Sequence, residues 1–209
     1  MDRREQLVWA GKEMVRRGLT VYTAGNVSVR SADGAGFYIK PSSVRYADIH
    51  PEDLVLVDWE GNPISGARPP SIEHNMHRLI YLARADAVAV VHSHSLYATT
   101  LSASKLHCGI PATLGEIAHY IGGPVRLAEF GAPGSMDLAR SVVHCLGKET
   151  HGVLLKNHGA LVVGKDLAQA LDFAELIEMG AKSYVLVQLL GGYDEHPESY
   201  CLDDLPGQR

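Results

Sequence analysis

The amino-acid sequence predicts an α/β chain whose helices pack on an antiparallel or mixed sheet. Three observations carry this expectation. Short β-branched or alternating runs recur at 26–30, 37–40, 54–58, 88–92 and 152–163, most of them closed by turn residues. Helical stripes of apolar residues at three- and four-residue spacing lie between and around those runs. No internal repeat, low-complexity tract or linker interrupts them, so the 209 residues are read as one domain with a polar tail over 191–209.

The opening helix spans about residues 2–17, with Leu7, Ala10, Met14 and Val15 on one stripe and Gly18 closing it. Thr23-Ala24-Gly25-Asn26-Val27-Ser28-Val29-Arg30 reads as a tight glycine turn feeding an alternating strand. Phe37-Tyr38-Ile39-Lys40 is the next strand, stopped by Pro41-Ser42-Ser43, and Leu54-Val55-Leu56-Val57-Asp58 another, followed by the turn Glu60-Gly61-Asn62-Pro63. A helix is expected from Ser71, with Glu73 in its first turn, where the macrodipole favours a carboxylate. Helix-start chemistry alone would account for Glu73. His74 and His77 have polar flanks and are read as exposed. Short helices are expected at 95–103 and at 114–120, the latter carrying Glu116. A strand near 126–128 and a helix from Ser135 to about Leu146 follow. Residues 152–163 read as a strand pair turning at His158-Gly159. The last long helix is capped by Asp166, with Gln169 as its capping-box partner, and stops at Gly191-Gly192.

Composition bounds the function. Hydrophobic residues make up 46% and charged residues 21%, as in ordinary globular chains. The formal net charge of −5 shows no basic bias, so nucleic acid is not an expected partner. No apolar run approaches the roughly 20 residues that cross a bilayer, and the start shows no signal-peptide core. Neither a membrane partner nor export is expected. Cys108, Cys145 and Cys201 are odd in number and far apart, and read as free thiols in a reducing, cytoplasmic compartment.

The chemistry centres on Val88-Ala89-Val90-Val91-His92-Ser93-His94. Side chains two apart on a strand share a face, so His92 and His94 can address one point. His158 also stands at the end of an apolar strand. The set His92, His94, His158 and Glu73 matches an open three-histidine zinc site with a carboxylate as fourth group. Such a site polarises a carbonyl as a Lewis acid, and a nearby glutamate can move a proton.

Five segments in order then carry a resemblance: Thr23-Ala24-Gly25-Asn26-Val27-Ser28, Lys40-Pro41-Ser42-Ser43, Pro70-Ser71-Ile72-Glu73, His92-Ser93-His94 and Asn157-His158-Gly159. Over about residues 5–190 the chain resembles the class II aldolase/adducin-domain family, typified by L-fuculose-1-phosphate aldolase and L-ribulose-5-phosphate 4-epimerase. The resemblance implies a three-layer α/β/α fold around a mainly antiparallel sheet, and a homotetramer with active sites at subunit interfaces. It implies a Zn²⁺ ion, sometimes Mn²⁺ or Co²⁺, held by His92, His94 and His158, with Glu73 as the acid/base that exchanges with substrate at the metal. Gly25, Asn26, Ser42, Ser43 and Ser71 would form the phosphate pocket. The activity implied is aldol cleavage or formation in a ketose phosphate such as L-fuculose 1-phosphate, through a metal-stabilised enediolate. A family decarboxylase acting on a hydroxy or keto acid, and a non-catalytic adducin-like assembly domain, are the alternatives. The assembly domains have lost the histidines that this chain keeps.

The sequence departs from the aldolase pattern at two places. Ile72 replaces a serine before the glutamate, and Ser43 stands where many sugar-phosphate members have glycine; Arg45 is close enough in sequence to compensate. Glu116 falls where relatives carry a second acid/base, with Tyr120 offset from it. Tyr193 and Tyr200 are the candidates for a tail tyrosine that family members supply from an adjacent subunit. His119 and His144 match no motif position and are read as structural or surface residues.

Overall fold

The computed structural model describes residues 2–106, 109–112 and 115–192. In chain order the elements are α1 (Arg3–Arg16), β1 (Asn26–Arg30), β2 (Gly36–Ile39), β3 (Val55–Asp58), β4 (Pro63–Ser65), α2 (His74–Ala83), β5 (Ala89–Ser93), α3 (Leu96–Ser102), β6 (Arg126–Ala128), α4 (Met136–Leu146), β7 (Gly152–Leu155), β8 (Gly159–Gly164) and α5 (Leu167–Leu189). Short 3₁₀ turns lie at Tyr46–Asp48 and Pro51–Asp53, and a π-helical turn at Ile117–Ile121.

The strands form one eight-stranded sheet in the order β4-β3-β2-β1-β5-β8-β7-β6. Every neighbouring pair is antiparallel except β6 and β7, which helix α4 joins by the crossover that a parallel pair requires. Alternation along the strands divides the core into two layers. Val27, Val29, Ala89, Val91, Leu154, Ala160 and Val162 meet α1, α3 and α5 on one face. Val90, Val153, Leu155, Leu161 and Val163 meet α2 and α4 on the other. The three-layer α/β/α arrangement expected from the resemblance is therefore present.

Local chemistry sets the helix ends. Ser135 Oγ accepts from Leu138 N at 3.1 Å, and Asp166 Oδ1 accepts from Gln169 N at 2.8 Å. The Gln169 side chain accepts from Lys165 N, one residue before the position a capping box would use. Four other expectations are corrected. Strand β4 starts at Pro63, the last residue of the expected turn, and was not expected. The helix expected from Ser71 begins at His74, because Ser71 turns back on the chain: its carbonyl accepts from His74 N, and its hydroxyl accepts from Glu73 N. Glu73 thus stands at the cap position, not inside the first turn. The helix expected over 114–120 is, past Glu116, the π-helical turn, ended by Gly122 in the left-handed region. His77, read as exposed, is fully buried. Cys108, Cys201, Tyr193, Tyr200 and the tail beyond 192 lie outside the described residues. Among the described residues no helix is long and apolar enough to cross a membrane.

Candidate metal centre

The site forms where β1, β5 and β8 run side by side. Asn26 pairs with His92 across β1 and β5, and Leu161 pairs with His92 across β5 and β8. His92 lies at the buried end of β5, and His94 follows it one residue past the strand. His158 occupies the turn between β7 and β8, next to Asn157, which adopts φ +57°. Two glycines allow this close approach. Gly25 sits at φ +63°, and a Cβ there would stand 2.5 Å from the His92 carbonyl oxygen. A Cβ on Gly159 would stand 2.3 Å from the Ser93 carbonyl oxygen and 3.2 Å from the His94 ring.

The three imidazoles converge edge to face, with ring centroids 4.7, 4.8 and 4.9 Å apart. One ligand nitrogen from each lies within 4.8 Å of the others. His92 Nδ1 lies 2.9 Å from the Ala160 carbonyl, which can only accept, so Nδ1 carries the proton and Nε2 offers its lone pair. His94 Nε2 approaches His92 Nε2 to 2.9 Å. Burial pushes both His92 and His94 down to about 3, and the neighbouring imidazoles push the same way. They are neutral at physiological pH, as metal ligands must be.

Glu73 completes the cluster. Its Oε2 accepts from Asn26 Nδ2 at 2.7 Å and lies 3.4 Å from His92 Nε2. Its Oε1 is buried, accepts no hydrogen bond among the described residues, and lies 3.4 Å from His158 Nε2. A buried carboxylate oxygen without a donor, facing the imidazole cluster, is the donor set a divalent cation would satisfy. The residues fit the ion that the resemblance implies.

A cavity of about 340 Å³ opens beside this cluster. Gly25, Asn26, Ser42, Ser43, Ser71 and Glu73 all line it, with His94 and His158. The structure thus brings together the residues expected in the pocket. It adds Lys40, Thr23 and Pro133, which the sequence reading had not placed in the site. Lys40 is 2% exposed, and its Nζ donates to the carbonyls of Thr23 and Pro41 and stands 4.9 Å from the Tyr46 ring. Burial lowers its pKa to about 8. It makes no ion pair among the described residues, so it is the cation nearest to hand for an anionic ligand. Arg45 is exposed and does not line the cavity, so it does not take the compensating place expected of it. Ser43 adopts φ +57°, the conformation that explains a glycine preference at this position.

Glu116 is not brought to the centre within one chain. It is exposed, and with Tyr120 it lines a separate groove beside the start of α5, next to Lys165 and Asp166. His119 packs on Tyr120 and His144 lies in the last turn of α4, both outside the cavity.

The family model of the class II aldolase and adducin N-terminal domain matches residues 5–185. The chain belongs to that family. Among class II aldolases, it is 36% identical over 188 residues to 5-deoxy-D-ribulose 1-phosphate aldolase of Bacillus thuringiensis serovar kurstaki, covering 90% of this chain and 86% of the relative. It is 34% identical to L-fuculose phosphate aldolase of Escherichia coli K12, covering 86% and 81%. A solved L-fuculose 1-phosphate aldolase superposes with a TM-score of 0.88 at 34% identity, over 94% of this chain and 91% of that one. On this likeness the chain is an enzyme of the class II aldolase type, a carbon–carbon lyase.

Proposed function

We propose that the chain is a Zn²⁺-dependent aldehyde-lyase that cleaves, and in reverse forms, a carbon–carbon bond in a ketose 1-phosphate. The observation that carries this reading is the histidine triad set against the free Glu73 Oε1 at the edge of a polar cavity. His92, His94 and His158 would hold the ion, with Glu73 as the fourth group beside them. A bound divalent ion supplies Lewis-acid polarisation of a substrate carbonyl. In retro-aldol cleavage a proton leaves the hydroxyl of the departing aldehyde carbon, and a proton arrives on the ketone fragment's carbon that keeps the electron pair. Glu73 delivers that second proton, and removes it in the condensation direction.

Gly25, Asn26, Ser42, Ser43 and Ser71 supply the small residues, hydroxyls and amides that seat a phosphate, and Lys40 adds the positive charge. The names of the relatives, 5-deoxy-D-ribulose 1-phosphate aldolase and 5-methylthioribulose-1-phosphate/5-deoxyribulose-1-phosphate aldolase, favour a deoxyketose 1-phosphate as substrate alongside L-fuculose 1-phosphate. Glu116 accepts the hydroxyl proton in cleavage, and returns it in condensation, only if a neighbouring copy presents it, which fits a homotetramer with shared sites.

The test is proton exchange. Zinc-loaded protein with dihydroxyacetone phosphate in D₂O should lose one C3 proton signal by NMR, and a chelator should stop the loss. Cleavage of 5-deoxyribulose 1-phosphate and L-fuculose 1-phosphate is then compared. Absence of both exchange and cleavage in metal-replete protein would sink this reading and favour a decarboxylase.

A further inference from the structure

Two ladders of polar residues mesh beneath the metal centre. Glu73, His77 and Tyr81 are spaced by four along α2 and its cap, and so share one stripe. Asn26 and Ser28 are spaced by two on β1 and share the sheet face beneath α2. Tyr81 Oη lies 2.8 Å from Ser28 Oγ, and Ser28 Oγ lies 2.6 Å from His77 Nδ1. His77 Nε2 meets Asn26 Oδ1, and Asn26 Nδ2 reaches Glu73 Oε2. All five side chains are at least nine-tenths buried. Burial keeps the His77 imidazole neutral, with its pKa pushed down to about 3.

The direction of each link follows from the carboxylate. An ionised Glu73 only accepts, so Asn26 turns its NH₂ towards Glu73 and its Oδ1 towards His77. Oδ1 only accepts, so His77 carries its single proton on Nε2. Its Nδ1 then accepts from Ser28, and Ser28 Oγ accepts from Tyr81. Run in reverse, the chain would need a proton on Glu73. The free Oε1 gives this order a consequence: the amide that binds Oε2 decides which carboxylate oxygen faces His158.

We propose that these residues form a one-way hydrogen-bond chain, in which His77 acts as a positioning residue by holding the Asn26 amide so that Glu73 presents Oε1 to the histidine centre. This inference rests on the reading of Glu73 as the group that moves a proton. His77 itself does not line the cavity and is not one of the clustered ligands.

Long-range ¹H–¹⁵N spectra of histidine-labelled wild-type protein, without metal, report the tautomer directly. The signal missing in His77→Gln identifies the residue, and a neutral ring protonated at Nε2 is expected. A ring protonated at Nδ1 overturns the proposal. In zinc-loaded protein, His77→Leu should lower the kcat of proton exchange about 10- to 100-fold while KM and zinc content hold. His77→Gln, whose amide restores a donor to Asn26, should recover most of the rate. Wild-type kcat in a folded His77→Leu also overturns the proposal. The spectrum is assigned through His77→Gln and needs no folded His77→Leu, so an unfolded His77→Leu leaves the proposal open to refutation. An Nε2-protonated ring in a wild type that performs no exchange defeats the reaction reading alone and supports the directed chain.

Discussion

Gly25 meets two demands that no residue with a side chain meets together. Its backbone is left-handed, which costs an L residue roughly 1–2 kcal/mol, and its missing Cβ would press on the His92 carbonyl. Gly25→Ala should therefore lower stability by about 2–3 kcal/mol, read from urea unfolding, as strain and overpacking add. It should also weaken zinc binding in chelator competition, because β5 carries His92 on the same backbone. Unchanged stability and zinc affinity would show that the loop relaxes without cost. His94 tests the centre more directly. It is only partly buried, so His94→Ala should still fold, yet lose stoichiometric zinc by metal analysis and lose turnover with it. A folded His94→Ala that keeps one equivalent of zinc would remove the three-histidine centre.

At the level of elements, β1, β5 and β8 act as one unit, because the close approach of β8 to the end of β5 aligns the histidines. A Cβ on Gly159 would meet the Ser93 carbonyl and the His94 ring. Gly159→Ala should cost about 1–3 kcal/mol and shift zinc affinity, both measurable on the same protein preparation. An alanine variant with wild-type affinity would mean that the strand spacing does not set the ligand geometry. The His-x-His pair was legible in the sequence because a strand has a period of two and an apolar run ends there. The caps at Ser135 and Asp166 were legible for the same local reason. His77 was not. The face that α2 buries is chosen by Asn26 and Ser28 on a strand some 50 residues earlier, and nothing near His77 records that pairing. The short edge strand β4 and the parallel pairing of β6 likewise depend on distant partners. Glu116 is matched to the relatives' second acid/base by its position along the chain, and such a position says nothing about which cavity a side chain enters.

At the scale of the whole molecule, the layer between α2 and the sheet is an apolar core with a polar seam, and the seam makes stability depend on pH. His77 ionises near 6.5 in an unfolded chain but is pushed down to about 3 when buried. Above about pH 6.5 neither state binds the proton and the full native stability is present. Between those values only the unfolded chain takes it up, so stability falls as pH falls. One such group contributes about 1.4 kcal/mol per pH unit over that window. His77→Gln removes the titrating ring while keeping an amide that can donate to Asn26 and accept from Ser28. Metal-free wild type should therefore lose stability faster than His77→Gln on acidification from about pH 7.5 to about pH 5, by roughly that slope. Chemical unfolding of both proteins in chelator, repeated across this range, measures the difference; His92 and His94 titrate in both and cancel. Parallel stability curves would mean that the buried imidazole takes up its proton in the native state, and the seam beneath Glu73 would then be open to water.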